Sequence, residues 1–229
     1  MDYKVIKDRT ITHLQELFKF LEVLSDDKKS TNDITPERLL WEMYNKFFTI
    51  LVSCENSLRF KDSLSVHLVA RYTYEILIIF LYVFLDEKSR QERAAAFLSF
   101  NQFQDFERSW LKGKTYADLL KDIPDNWSDF HKDHYRTLSN FSHPTMDSFL
   151  LNRRGEEAEF KMIINTSLLV ARAIEQVAEV CLYNDLYFDP KRKEEFQGGL
   201  MEQVRTTTIL MAQCVGKEEV AKKIYPESF

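Results

Sequence analysis

Apolar residues return along this chain at intervals of three and four, the spacing that lines up one face of an α-helix. Val5, Ile11, Leu14, Leu17, Phe18, Leu21 and Leu24 predict a first amphipathic helix from about Tyr3 to Leu24, closed by the polar stretch SDDKKSTND. Thr35, Pro36 and Glu37 then supply a capping hydroxyl, a first-turn proline and an early acid, and the pattern runs on to about Leu58. A third helix is expected from near Ser63 through the unbroken apolar run Ile76 to Leu85, with DEKSRQER marking a turn or a new start before AAAFLSFNQF. Residues 110–127 carry Gly113 and Pro124 around TYADLLKDI and read as a connection with one helical piece. Ser128, followed by Asp129 and Asp133, predicts a helix running to about His143, where Pro144 disfavours its continuation. After Asn152, Arg153, Arg154 and Gly155 a long helix is expected from about Glu157 to Leu186, ended by DPKRK. Glu194 to Val215 and a short tail helix complete the chain.

Turn chemistry decides the fold class. Five Gly and five Pro in 229 residues are too few for a sheet protein, which needs a tight turn every 8–12 residues or so. The expectation is therefore all-α: one domain, 1–229, built as an up-and-down helical bundle of about five to seven helices packed around Ile76 to Leu85. With 45% apolar residues and 18 Phe, the chain can fill a large interior, and Phe47, Phe48, Phe80, Phe84 and Phe160 are the expected core aromatics. The segment Leu64 to Leu85 is interrupted by His67, Arg71 and Glu75, and its uninterrupted part falls short of the roughly 20 residues that cross a bilayer. It reads as a buried core helix, with no membrane partner. Cys54, Cys181 and Cys214 are odd in number and scattered through apolar helical patterns, which predicts core packing rather than disulfides or a metal clamp. MDYKVIKDRT has no basic segment followed by an apolar core, so a cytoplasmic location is expected. The net charge of −5 gives no general attraction to nucleic acid or anionic lipid; such a partner must meet a local patch.

Candidate chemistry concentrates in HYRTLSNFSHPT, residues 134–145. Arg136 and His143 are seven positions apart, close to two helical turns, which puts them on one face about 10 Å apart along the axis. Ser139 and Asn140 lie between them, while Tyr135, Leu138 and Phe141 can anchor the other side. Histidine titrates near neutral pH, so His143 could take a proton from a ribose 2′-hydroxyl or return one to a leaving oxygen. Arg136 stays protonated and could instead fork onto phosphate oxygens, with Ser139 or Asn140 orienting the phosphate or the imidazole. A plainer reading stands beside this one, in which Arg136 pairs with a core-facing acid and His143 bonds the last carbonyls of its helix.

An Arg, six residues and a His at a helix end resemble the R-x4-6-H motif of the HEPN superfamily. YRTLSNFSHP preceded by RYTYEILIIFLYVFLDEKSR is similar to a poorly characterised bacterial branch of HEPN-like proteins, over roughly residues 63 to 145. The resemblance implies a HEPN-like core over about 35–187, with an N-terminal helix and C-terminal helices packed on it. It further implies a homodimer, two facing Arg136/His143 pairs, metal-independent endoribonuclease activity with no cofactor, and service in bacterial defence or toxin systems under a regulatory protein partner. A non-catalytic module that binds a nucleotide, RNA or a protein is the alternative the same superfamily offers.

Three further groupings bear on function. His67, Arg71 and Glu75 are stacked at intervals of four on the most apolar helix; Arg71 and Glu75 can pair with each other, or reach the Arg136/His143 helix and fix its geometry. Arg153 and Arg154, with Lys191 and Arg192 beside Lys193, are basic runs that suit either a solvated face or RNA phosphates. Asp129, His131, Asp133 and His134 invite a metal, but no Glu-x-x-His pair recurs on another predicted helix, and first-turn acids explain the segment without one. No Gly-rich phosphate loop, GxSxG elbow or HExxH pair is present.

Overall fold

A computed structural model describes residues 3–25, 33–60, 63–99, 114–123, 156–183 and 201–214, together with positions 194, 199, 216–219 and 222. Every regular element among them is helical: α1 (Tyr3–Ser25), α2 (Pro36–Phe60), α3 (Ser63–Phe84), α4 (Arg90–Leu98), α5 (Tyr116–Leu119) with a 3-10 turn (Leu120–Asp122), α6 (Glu156–Tyr183) and α7 (Met201–Cys214). The chain is thus an all-α bundle. The helix expected over 128–143 and the side chain of Phe160 lie outside what is described.

Local chemistry sets the element ends. Thr35 caps α2, its hydroxyl accepting the Arg38 amide at 3.3 Å, just ahead of Pro36 at the first helical position. Thr115 and Asp118 form a reciprocal capping box at α5, where the hydrogen bond from Lys121 and those from Thr115 hold the Asp118 carboxyl far below the usual carboxylate range. The end of α3 is closed from outside the helix. Arg90 Nη2 donates to the Phe84 carbonyl at 3.0 Å and Arg93 donates to the Tyr82 carbonyl, so carbonyls with no intrahelical partner meet cations. The Arg93 guanidinium also lies 4.0 Å over the Tyr82 ring and 3.0 Å from Asp86, which fixes α4 against α3.

Burial explains the arrangement. On α1 the buried positions Thr10, Leu14, Leu17 and Leu21 follow steps of four, three and four, while Val5, expected on the same face, is exposed. Ile11, Leu14, Leu17, Phe20 and Leu21 of α1 are part of the buried cluster. α3 differs in kind, because Ile76 to Leu81, Val83 and Phe84 are all buried whichever side of the helix they occupy. Helices α2, α4, α5 and α6 surround it, and α6 is equally enclosed over Val170, Ala171, Ala173, Ile174, Val177 and Ala178. By length and composition Ser65–Phe84 could cross a membrane, yet 67% of that window is buried inside the protein, which makes α3 a core helix.

Cross-helix contacts fix directions. Phe18 meets Phe48 edge-on at 4.8 Å and Gln15 bonds Glu55, so α1 and α2 are antiparallel. Tyr44 meets Cys181 at 3.6 Å near one end of α2, and Ser167 reaches Cys54 near the other, so α2 and α6 are antiparallel too. α3 packs on α2 and follows it after only two residues, which reverses the chain again and leaves α3 and α6 parallel. Buried hydroxyls are answered locally: Thr10, Ser57, Thr73 and Ser167 each donate to the carbonyl four residues back, at 2.8–3.0 Å.

Replacing Phe80, which is wholly enclosed and stacked on Phe84 at 4.7 Å, with alanine should lower stability by about 3–5 kcal/mol in denaturant unfolding. Phe60, 78% exposed, should tolerate alanine within about 0.5 kcal/mol by the same measurement.

Candidate functional site

Of the candidate site residues singled out above, His67, Arg71 and Glu75 are the ones the structure describes. Arg136, Ser139, Asn140 and His143, the basic residues Arg153, Arg154, Lys191 and Arg192, and the segment holding Asp129, His131, Asp133 and His134 all lie outside the described residues. The expected contact between α3 and the segment of Arg136 and His143 lies outside the described residues as well.

Arg71 Nε donates to Glu75 Oε1 at 2.9 Å, one turn apart on α3. Their side chains keep 24% and 19% of their exposure, His67 one turn earlier is buried, and Leu68 and Tyr72 beside them are open to solvent. The stripe thus runs along the border between the enclosed face of α3 and its open one. The cost of a fully buried charge, expected from the apolar character of this helix, is largely avoided because both heads reach the rim. An i,i+4 pair with this much solvent contributes only about 0.3–0.5 kcal/mol, so its geometry matters more than its energy.

The strongest charged constellation is one that the sequence pattern did not reveal. Glu175 on α6 has no exposed surface, and its carboxylate is 2.6 Å from Arg172 Nη1 on the same helix and 3.5 Å from Arg205 Nε on α7. Arg205 Nη2 also meets Glu179 Oε1 at 2.9 Å, and Gln176 donates to the other oxygen of Glu179 at 2.8 Å. The available signal was an acid set inside the apolar run VARAIEQVAEV, with an arginine three residues before it. Nothing in the sequence named Arg205, which comes from a different helix.

Two buried thiols fill core space. Burial pushes the Cys54 thiol up to about 12, against a smaller opposing effect of its hydrogen bond with Ser167. Burial likewise raises Tyr44 well above its ordinary value, with Cys181 adding to the shift. A thiol held protonated at neutral pH is a poor nucleophile, so Cys54 is a packing residue, as its apolar setting predicted. Cys181 is buried beside Tyr44; the side chain of Cys214 lies outside the described residues. Among the described residues no three His, Cys, Asp or Glu side chains gather as metal ligands would. Compared with protein-family models, with curated proteins and with solved structures, the chain matches none.

Two outcomes are expected. Glu75→Ala should fold and lose less than about 1 kcal/mol by thermal unfolding, because the pair it breaks is partly solvated. In alkaline solution the unfolded chain gives up the Cys54 proton near its ordinary value while the folded chain holds it up to about 12. Between those values the unfolded state binds fewer protons, so stability falls as pH rises, by up to about 1.4 kcal/mol per pH unit for one site. Urea midpoints measured from pH 8 upward should decline, and less steeply in Cys54→Ala.

Proposed function

We propose that this chain is a HEPN-type helical protein whose Arg136 and His143 form half of a metal-independent endoribonuclease site, completed by the same pair from a second copy in a homodimer. The observation that carries the reading is the sequence YRTLSNFSHP, in which an arginine and a histidine stand seven positions apart, just ahead of a proline. The all-α bundle supports it, since that architecture is the one the resemblance requires.

In this mechanism His143 moves the proton. As base it takes the hydrogen of a ribose 2′-hydroxyl; as acid it protonates the leaving 5′-oxygen. Arg136 forks onto the phosphate oxygens and offsets the charge that builds there, and Ser139 or Asn140 orients the phosphate or the ring. Arg153, Arg154, Lys191 and Arg192 hold flanking phosphates. Arg71 and Glu75, already paired on α3, are the candidates to set the position of this helix. No metal or cofactor enters. A cytoplasmic protein under the control of a partner, acting in defence or toxicity, is the setting this chemistry suits.

The second reading is a non-catalytic module of the same architecture that binds a nucleotide, RNA or a protein. The net charge of −5 favours it, because free RNA is repelled at long range unless a local basic patch prevails.

The test incubates the purified protein with a mixed RNA pool in EDTA, beside His143→Ala. Cleavage in EDTA that drops by at least about a hundredfold in the variant is the expected result. Equal cleavage by the variant removes the site, loss of cleavage in EDTA removes the metal-free mechanism, and RNA retained without cleavage transfers the reading to the binding module.

A further inference from the structure

We propose that α7 is an ionic latch, a helix held in register on α6 by Arg205 that opens and closes as a unit while the rest of the bundle stays folded. The inference is independent of the nuclease reading.

α7 stands at the edge of the bundle, packed on α6 and α1, and residues 184–200 separate it from α6 in sequence. Its polar anchors are carboxylates of those two neighbours. Arg205 spans Glu175 and Glu179 of α6 at 3.5 and 2.9 Å, and the Thr207 hydroxyl donates to Glu16 of α1 at 3.3 Å. Behind these acids stand Arg172 at 2.6 Å from Glu175, Gln176 at 2.8 Å from Glu179 and His13 at 3.3 Å from Glu16. The described side chains that α7 buries are Met201, Thr207, Thr208 and Ala212, small or polar apart from the methionine, whereas α2 buries Leu39, Leu40, Tyr44 and Phe47.

Ion pairs pin geometry more strongly than they stabilise. Bringing the Glu175 carboxylate out of water costs about what its attraction to the arginines returns, so the pairs select one register for α7 while adding little net holding energy. Opening reverses that exchange, because Glu175, Glu179 and Arg205 all regain water together. A helix docked in this way opens locally at less free energy than the more deeply buried helices α2, α3 and α6. The pair Arg205–Glu179, whose side chains are 35% and 21% exposed, is also reached by salt. Opened, the surface left by α7 presents Glu16, Glu175 and Glu179 and is acidic.

Hydrogen exchange read by mass spectrometry on the full chain tests the latch, at low and high ionic strength (about 0.05 and 0.5 M). The expected result is that amides of 201–214 are protected at low salt and exchange through openings that leave 36–60, 63–84 and 156–183 protected. High salt should raise those openings, and Glu179→Gln should raise them about twofold to fivefold with the core unchanged. The mild Glu179→Gln change keeps the test valid where truncating Arg205 would risk the fold by stranding Glu175. Exchange of 201–214 only in step with the core overturns the latch. So does a lack of protection at low salt, or an α7 indifferent to both salt and Glu179→Gln.

Discussion

Enclosing α3 is the constraint on which the rest of this structure depends. A helix with apolar side chains around its whole circumference cannot sit on a surface; it needs neighbours on every side before its burial becomes favourable. α2, α4, α5 and α6 meet that need, and Phe80, Phe84, Ile78 and Val83 lose all their exposure as a result. α6 packs along α3, and its enclosed Ala171, Ala173 and Ala178 are small residues that allow close approach of neighbouring helices.

The polar groups of the fold follow from the same requirement. The buried hydroxyls of Thr10, Thr73 and Ser167 donate to carbonyls of their own helices, whereas that of Thr207 reaches Glu16 on α1. The C-terminal end of α3 is different, because its last carbonyls need donors, and Arg90 and Arg93 reach back from the next segment to supply them. Charges that remain lie where water still reaches, as Arg71 and Glu75 do, or are held by arginines, as Glu175 is. The two cases differ in consequence. A rim pair can change partners cheaply, whereas an enclosed carboxylate makes the position of α7 specific and its docking conditional on charge.

For function, the division between a rigid centre and polar edges matters most. Proton transfer by a histidine beside a phosphate-gripping arginine requires fixed distances, and fixed distances come from helices anchored to a well-packed interior. α3 is a helix of that well-packed kind, with Arg71 and Glu75 on its border. An element docked through ion pairs at the edge, by contrast, suits motion, and α7 is placed and bonded in that way.

Helical periodicity was enough to locate the elements, because it depends on side chains a few residues apart. Tyr3–Ser25 and Pro36–Phe60 fall within two residues of the reading from apolar spacing and from the Thr35-Pro36 start, and the scarcity of Gly and Pro fixed the all-α class. The apolar surroundings of Cys54 and Cys181 likewise announced core thiols. The candidate Arg136/His143 site was legible only as a spacing within one segment, since what would face it comes from elsewhere in the chain or from a second copy. Tertiary structure alone decided that Val5 is exposed, that the Arg71–Glu75 pair lies at the rim, and that Glu175 is enclosed and joined to Arg205. The physical reason is range. A helix is written by neighbours three and four apart, but which of its faces is covered, and by whose charge, depends on residues brought together from distant parts of the sequence.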